Sequence, residues 1–272
     1  MSVLIALIIF VGVWFQSCFC QPEQNIIRKK AIVIGATSGM GRQLSKLLAQ
    51  DYDVGLTGRR VNLLESLQAE IPTKTYIKQI DVTQSELAIQ KLHELISEMG
   101  GLDLMVISIS AANDKIDQQR CFEADKKTIE VDLIGFWTMS DAAITFFEKQ
   151  KSGHLVGFSS TSGLRGTARD PVYSGAKAFV SIYLEAVRNQ MIQKKIPIYV
   201  TDIIPGWVEV EAVDLHKSPD AYWIATAQEA AKQIYEAIKE KKKTAYITKR
   251  WQFAAWLIYL LPDWIYNAIG GL

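Results

Sequence analysis

The segment from Lys30 to Gln50 constrains the fold of this chain more than any other. It begins with a short apolar run, Lys30 to Ile34, whose β-branched residues are typical of a strand buried on both faces. A glycine-rich turn follows at once, and Arg42 to Gln50 then carries leucines at helical spacing. Glycines let a backbone approach a pyrophosphate, and a helix N-terminus supplies free N–H groups. The pattern predicts a nucleotide site formed by Gly35, Thr37, Ser38, Gly39, Met40 and Gly41.

Six further apolar runs continue an alternation of strands and helices. Strands are predicted at 53–57, 76–80, 102–108, 154–158, 198–203 and 244–248. Helical patterns separate them, at 62–71, 87–99, 125–149, 180–193 and 227–239. This order predicts an α/β fold, a doubly wound parallel sheet of about seven strands with helices on both faces. We expect residues 28–248 to form one domain.

Two arginines follow the second predicted strand, at the position that selects the dinucleotide. Folds of this kind often place an acidic residue there to hold the adenosine ribose hydroxyls. This chain has Arg59 and Arg60 instead, and a guanidinium suits a 2′-phosphate through charge-assisted hydrogen bonds. The pair favours NADP(H), with NAD(H) as the alternative. The competing interpretation is that both arginines are solvated loop charges.

The end of the third predicted strand carries Asp81 and Val82. Asp81 is a candidate to accept a hydrogen bond from an adenine amino group. It could equally cap the helix that begins after Thr83.

Tyr173 and Lys177 lie one helical turn apart on one face of a predicted helix. An ammonium beside a phenol favours the phenolate, so such a tyrosine can exchange a proton with a carbonyl or an alcohol oxygen. Ser160 lies in a hydroxyl cluster after the fifth strand, at the sheet edge where ligands bind in open α/β folds. By itself a Tyr–Lys pair at this spacing is more typical of the solvated surface of an amphipathic helix.

Together these segments resemble the short-chain dehydrogenase/reductase family of the classical type. The resemblance covers about Lys30 to Thr248 and rests on five motifs in family order: Gly35–Gly41, Asp81–Val82, Ser159–Ser160, Tyr173–Lys177 and Pro205–Gly206. It implies a Rossmann-type fold, a nicotinamide cofactor and hydride transfer to or from a carbonyl. It also implies that Tyr173 is the acid/base, that Lys177 assists it and holds the nicotinamide ribose, and that Ser160 holds the substrate oxygen.

Three positions depart from the family pattern. Ser108 and Ser110 stand in the loop where the family usually has Asn-Asn-Ala-Gly, so its asparagine support for the cofactor is missing. Asp132 aligns with the asparagine that completes the family's proton relay, and it can substitute if the relay uses that residue's backbone carbonyl. If the relay needs the amide side chain, we expect either slower proton transfer or a buried carboxylate that raises the pKa of Lys177. After Pro205 and Gly206, both expected at the cofactor, Val208 stands near the usual carboxamide-binding threonine and can contact the nicotinamide through its backbone.

Composition limits the partners and the compartment. The chain has 30 Lys and Arg against 29 Asp and Glu, so its charge gives no case for nucleic acid. Three cysteines form neither a disulfide framework nor a metal motif, which favours a reducing, cytoplasmic compartment.

The segment 207–222, which follows the sixth predicted strand, is expected to form a lid over the substrate. The apolar residues in and beside it favour a hydrophobic carbonyl or alcohol as substrate, although they could equally pack the lid on the core: Trp207, Val210, Val213, Leu215, Tyr222 and Trp223. The resemblance also implies a homodimer or homotetramer.

Both ends of the chain are apolar. Residues 2–22 carry no charge and are long enough to cross a bilayer; a membrane anchor, a signal peptide and translation upstream of the true start are all compatible with them. Residues 249–272 are rich in tryptophan and tyrosine and follow the basic run Lys239 to Lys243. This tail is expected either to lie on a membrane surface or to pack as a helix on the domain or a second subunit.

The preferred function is an NADP(H)-dependent oxidoreductase that reduces a hydrophobic or lipid-like carbonyl. One alternative is a catalytically weak nucleotide-binding or redox-sensing protein, because of Asp132 and the altered loop at Ser108 to Ser110. Another is a membrane-anchored scaffold in which the domain is structural. The intact Ser160, Tyr173 and Lys177 favour the enzyme.

Overall fold

A computed structural model of the chain describes residues 28–111, 121–209 and 221–268. Within them, seven strands form one sheet in the order β3-β2-β1-β4-β5-β6-β7, and every neighbouring pair is parallel. The strands are β1 Lys29–Ile34, β2 Tyr52–Gly58, β3 Thr75–Gln79, β4 Leu104–Ile107, β5 Gly153–Phe158, β6 Ile198–Pro205 and β7 Thr244–Ile247. The doubly wound parallel sheet predicted from the sequence is confirmed.

Helices cover both faces of this sheet. They are α1 Gly39–Leu48, α2 Val61–Glu70, α3 Ser85–Met99, α4 Phe122–Thr128, α5 Phe136–Gln150, α6 Pro171–Lys194, α7 Ala227–Lys239, α8 Arg250–Leu260 and α9 Asp263–Ala268. On β1, Ile32 and Ile34 pack with residues of α3, α5 and α6, whereas Ala31 and Val33 pack with residues of α1, α2 and α7. This alternation explains the continuous apolar run, since both faces of the strand are buried.

One predicted helix has an unexpected interruption. The segment 125–149 was expected to be a single helix, but a π-helical segment, Ile129–Gly135, separates α4 from α5. The wider turn carries Asp132, which is completely buried. Gly135 lies against Val82, and a Cβ at this glycine would come 2.7 Å from a Val82 methyl carbon. π-helical turns recur at functional sites in proteins.

The sheet reverses its winding direction beside β1. The chain proceeds from β1 to β2 and β3 on one side, and the crossover through α3 then places β4 on the other side. Ligands of such folds bind outside the carboxyl ends of the strands at this switch point. The predicted motifs all lie at that edge.

The aromatic tail forms two helices, and each of them packs side chains against the sheet domain. Trp251, Ala255 and Tyr266 are buried, and Arg165 donates to the carbonyl oxygens of Ile258 and Leu261. Strand β7 separates the basic run from the tail, because the lysines precede this strand and α8 follows it. Residues 2–22 lie outside the described part of the chain. Among the described residues, none of the helices combines the length and apolarity needed to cross a membrane.

Candidate active site

A cleft of about 380 Å³ opens at the carboxyl ends of β1 to β6. Each of the six strands contributes the residues that directly follow or end it, so the cleft is assembled from segments that are distant in the sequence. All predicted site residues line it except Gly41 and Asp132. The sequence analysis missed seven lining residues: Ile34, Gly58, Ile80, Ile109, Val131, Phe158 and Ser159. Most of them adjoin a predicted residue at a strand end; Val131 had no such signal, because its position depends on the π-helical turn.

The glycine turn after β1 has the shape of a phosphate cradle. Gly35 has a φ of +92°, and a Cβ built there would lie 2.2 Å from the carbonyl oxygen of Ser108. A Cβ at Gly41 would lie 2.3 Å from the carbonyl oxygen of Gly35, so this glycine brings α1 against the turn. Gly39 has a φ of +54° and, among the described residues, no heavy atom within 4 Å of a built Cβ. The turn therefore leaves open space in front of the N-terminus of α1, where an anion binds well.

Arg60 spans the mouth of this turn. Its guanidinium donates to the hydroxyl of Thr37 at 2.9 Å and to that of Ser38 at 3.1 Å. The end of β2 contributes Gly58, Arg59 and Arg60 to the cleft, so its side chains there are cationic. The cradle and the adjacent cations together fit a dinucleotide diphosphate.

Asp81 has a local structural role at the end of β3. Its Oδ1 accepts hydrogen bonds from the Thr83 backbone N–H at 3.1 Å and from the Thr83 hydroxyl at 2.8 Å. This turn precedes α3, whose N-cap residue is Gln84. Asp81 thus stabilises the turn before the helix rather than occupying the N-cap itself, and it also lines the cleft.

Comparison with known proteins agrees with this geometry. A family model described as short chain dehydrogenase matches residues 29–221, which is more than half of the chain. The chain belongs to the short chain dehydrogenase family. The resemblance inferred from the five motifs is therefore confirmed.

Relatives of this short chain dehydrogenase carry consistent names. An uncharacterized oxidoreductase of Myxococcus xanthus is 31% identical over 202 residues, which cover 73% of this chain and 79% of the relative. An uncharacterized oxidoreductase of Mycobacterium tuberculosis is 29% identical over 246 residues, covering 88% of this chain and 96% of the relative. The protein is an oxidoreductase of the CH–OH/C=O class, and its family binds NAD(P)(H).

Ser160 and Tyr173 enter the cleft from two adjoining segments. Ser160 begins a short 3-10 turn, Thr161–Gly163, and its hydroxyl accepts a hydrogen bond from the Ser162 N–H at 3.1 Å. Tyr173 lies in the first turn of α6, where the Asp170 carboxylate caps its backbone N–H at 3.0 Å. Gly163 allows the two segments to approach closely, because a Cβ there would lie 2.7 Å from the backbone of α6.

Lys177 is buried, and its ammonium lies among acceptors. Its Nζ is 2.9 Å from Asp132 Oδ1, 3.2 Å from the Phe158 carbonyl oxygen and 3.4 Å from that of Ile109. The Nζ is also 5.6 Å from the centre of the Tyr173 ring. Burial alone lowers the pKa of Lys177, but the Asp132 carboxylate and Tyr173 outweigh it, and the net pKa is raised. The direction is the one expected from a buried carboxylate at position 132.

A second buried carboxylate lies behind the serine cluster. Asp202 accepts hydrogen bonds from the hydroxyls of Ser159 at 2.6 Å and Ser181 at 2.5 Å. Burial raises the pKa of Asp202, while the two serine bonds and Arg188 act in the opposite direction. The sequence analysis did not single out Asp202, because an isolated aspartate in a predicted strand carries no motif.

Three tryptophans meet where the tail contacts the cleft. The ring centroid of Trp251 is 5.8 Å from that of Trp207 and 5.2 Å from that of Trp223, and its indole N–H donates to the Trp223 carbonyl oxygen at 3.0 Å. A Cβ at Gly206 would lie 2.1 Å from the Trp251 ring. Of the predicted lid residues, Val210, Val213 and Leu215 lie outside the described residues. Trp207 and Trp223 pack against Trp251 of the tail, a contact that the sequence analysis did not predict.

Proposed function

We propose that this short chain dehydrogenase uses NADP(H) to reduce a hydrophobic carbonyl compound. The observation that carries the cofactor preference is the guanidinium of Arg60, bonded to the Thr37 and Ser38 hydroxyls at the mouth of the glycine turn. An adenosine 2′-phosphate bound there would meet Arg60 and, beside it, Arg59. Planar guanidinium groups suit phosphate because they donate two parallel hydrogen bonds.

The proposed chemistry assigns one task to each residue of the cleft. When bound, NADPH supplies the hydride that reaches the carbonyl carbon. The Ser160 hydroxyl holds the carbonyl oxygen, and the Tyr173 hydroxyl donates a proton to it as charge develops. Lys177 is fixed beside Tyr173 by buried acceptors, so its charge keeps one position during the reaction. Ile109, Val131 and Val208 add apolar surface to the same cleft, which supports a hydrophobic substrate.

Loss of the Arg60 guanidinium should weaken the binding of NADPH but not of NADH. Removing a charge-assisted hydrogen bond costs about 1.5–3 kcal/mol, so we expect the NADPH Kd of Arg60→Ala to rise about 10- to 100-fold. Fluorescence titration of both cofactors measures this. Lys46→Ala is the matched control, since Lys46 pairs with Glu70 and does not line the cleft. Wild-type protein that binds NADH more tightly than NADPH would refute the preference.

Tyr173→Phe removes the proposed proton donor and leaves the ring. We expect the turnover of a simple hydrophobic ketone to fall by about 100-fold or more while NADPH affinity changes little, since general acid catalysis contributes about 10²- to 10⁴-fold. Steady-state NADPH oxidation and a binding titration separate the two effects. Full turnover in this variant would remove Tyr173 from the mechanism.

We also propose that the outer face of α8 and α9, with the aromatic side chains it exposes, rests on a lipid bilayer surface. Phe253, Trp256 and Trp264 are 67%, 59% and 74% exposed, and Tyr259 is also exposed. No charged residue stands between Arg250 and Asp263, and α8 buries only Trp251 and Ala255, so most of its apolar side chains are at least partly exposed. Aromatic and aliphatic side chains of this kind favour the membrane–water interface. Trp251 would then connect the bilayer-facing surface to the cleft that takes a hydrophobic substrate.

A further inference from the structure

Three protein oxygens lie around the Lys177 ammonium. Two are backbone carbonyl oxygens, of Phe158 and Ile109, and the third is the carboxylate oxygen of Asp132 at 2.9 Å. The lysine side chain is 3% exposed and the aspartate side chain is 0% exposed. Because both charges are buried, solvent screens their interaction far less than it would on the surface.

Asp132 is held in this position by a second contact. Its other oxygen, Oδ2, accepts a hydrogen bond from the Ala111 backbone N–H at 2.7 Å. This bond joins the π-helical segment to the loop that follows β4. The aspartate therefore cannot turn away from Lys177 without leaving the Ala111 N–H unpaired, which is unfavourable for a partly buried donor. The ion pair is a fixed part of the site.

Few other charges face Tyr173 and Lys177 from the surrounding elements. Asp202 on β6 acts on Lys177 through space, and its oxygens are bonded to Ser159 and Ser181. Asp170, at the N-terminus of α6, bonds the Tyr173 backbone N–H. The 3-10 turn Thr161–Gly163 carries no charged residue. Among the described residues, Asp132 is thus the carboxylate in direct contact with the Lys177 ammonium.

We propose that Asp132 keeps this site in its carbonyl-reducing protonation state at neutral pH by neutralising the Lys177 ammonium beside Tyr173. The inference rests on the proposed role of Tyr173. Reduction needs a phenol, whose O–H proton goes to the carbonyl oxygen while the nicotinamide hydride goes to the carbon. Oxidation needs a phenolate to accept the alcohol proton. An unpaired ammonium stabilises the phenolate, and an ammonium already paired with a carboxylate does so less. Asp132 is a positioning residue here, and it moves alcohol oxidation to more alkaline pH.

Asp132→Asn tests this proposal without requiring turnover. We expect the near-ultraviolet absorbance of the Tyr173 phenolate to appear about one pH unit lower in the variant than in wild type, a roughly tenfold change in the phenolate-to-phenol ratio. The Tyr173 signal is isolated by subtracting the same titration of Tyr173→Phe in each background. Glu130→Gln is the matched control, because Glu130 lies on the same segment, is partly exposed and pairs with Lys126. An unchanged titration in Asp132→Asn overturns the proposal.

A second variant and the pH dependence of turnover allow a decision even if Asp132→Asn does not fold. Asp132→Ser is a second neutral variant, with the same expected shift, and thermal melts establish that each variant folds. If neither folds, wild type alone decides: Tyr173 phenolate that appears well below the ordinary tyrosine range near about pH 10 overturns the proposal, and phenolate that appears only in or above that range supports it. Oxidation of 1-phenylethanol and reduction of acetophenone, measured against pH, should show oxidation beginning at lower pH in Asp132→Asn. Full turnover in Tyr173→Phe would instead refute the proposed function while leaving the titration interpretable.

Discussion

At the scale of single residues, buried polar groups in this protein find partners that lie far away in the chain. His154 on β5 is an example, with its Nε2 at 2.8 Å from the Thr201 hydroxyl oxygen. That hydroxyl donates its own proton to the Lys242 carbonyl oxygen at 2.5 Å. The Thr201 oxygen must therefore accept from His154, so the neutral imidazole carries its proton on Nε2. Burial, together with the nearby Lys241 charge, lowers the pKa of His154 to about 4.

The depressed pKa of His154 predicts a loss of stability in mild acid. In the unfolded chain His154 takes up a proton near its ordinary pKa of about 6.5, whereas the folded protein resists it until about pH 4. The unfolded state binds more protons in this window, so the free energy of unfolding falls as pH falls through it. Between about pH 7 and about pH 5 we expect this group to contribute a loss of about 2 kcal/mol.

His154→Gln should flatten this dependence, because glutamine keeps an N–H donor for Thr201 but does not titrate. Urea unfolding of wild type and variant at both pH values measures the difference. The control is His93→Gln, the same substitution at an exposed position of α3. Equal slopes in wild type and His154→Gln would contradict the prediction.

At the scale of secondary-structure elements, α8 supports the segment that follows β6. Its Trp251 fills the space above Gly206, and Arg250 donates to the Ile224 carbonyl oxygen at 3.0 Å. The Gly206 N–H in turn donates to the Ile247 carbonyl oxygen at 2.6 Å. The tail therefore packs against backbone that lines the cleft.

Trp251→Ala should destabilise the protein and weaken NADPH binding together. Truncating a buried tryptophan costs about 3–5 kcal/mol, because a cavity replaces the ring. We also expect the NADPH Kd to rise, since the Gly206 to Val208 backbone loses its support. Thermal denaturation and cofactor titration measure the two effects. Trp256→Ala is the matched control, because this tryptophan on the same helix is exposed. Similar losses in both variants would disprove the support role.

At the scale of the whole molecule, the cleft and the aromatic face of α8 and α9 belong to one end of the fold. Both lie beyond the carboxyl ends of the strands, because α8 follows β7 directly. The basic run Lys239 to Lys243 lies at the opposite edge, where Lys241 stacks over the Tyr199 ring at 4.0 Å. A bilayer that meets the aromatic face would therefore interact mainly through apolar and aromatic side chains.

Replacing Phe253, Trp256 and Trp264 by alanine should weaken vesicle binding of the full chain about tenfold or more, since each aromatic ring leaves the interface. Cosedimentation with phosphatidylcholine vesicles measures this, with and without phosphatidylglycerol. Because the basic run lies elsewhere, we expect the anionic lipid to add little. The control is Ile182→Ala, which removes an exposed apolar side chain from α6. Unchanged cosedimentation, or a change in oligomeric state instead, would assign the face to another partner such as a second copy.

The sheet, the glycine turn and the family could all be predicted from the sequence. Each depends on local chemistry: β-branched runs form the buried strands, glycines form the turn at Gly35, and Tyr173 and Lys177 share one helix face. The contacts between side chains of different elements became known only from the folded structure. It joined Asp132 to Lys177 through a π-helical turn, placed Arg60 over Thr37 and Ser38, and set Trp251 on Gly206. Such contacts link residues that are remote in the chain, and local propensity does not specify them; they follow from how the helices and loops pack around the finished sheet.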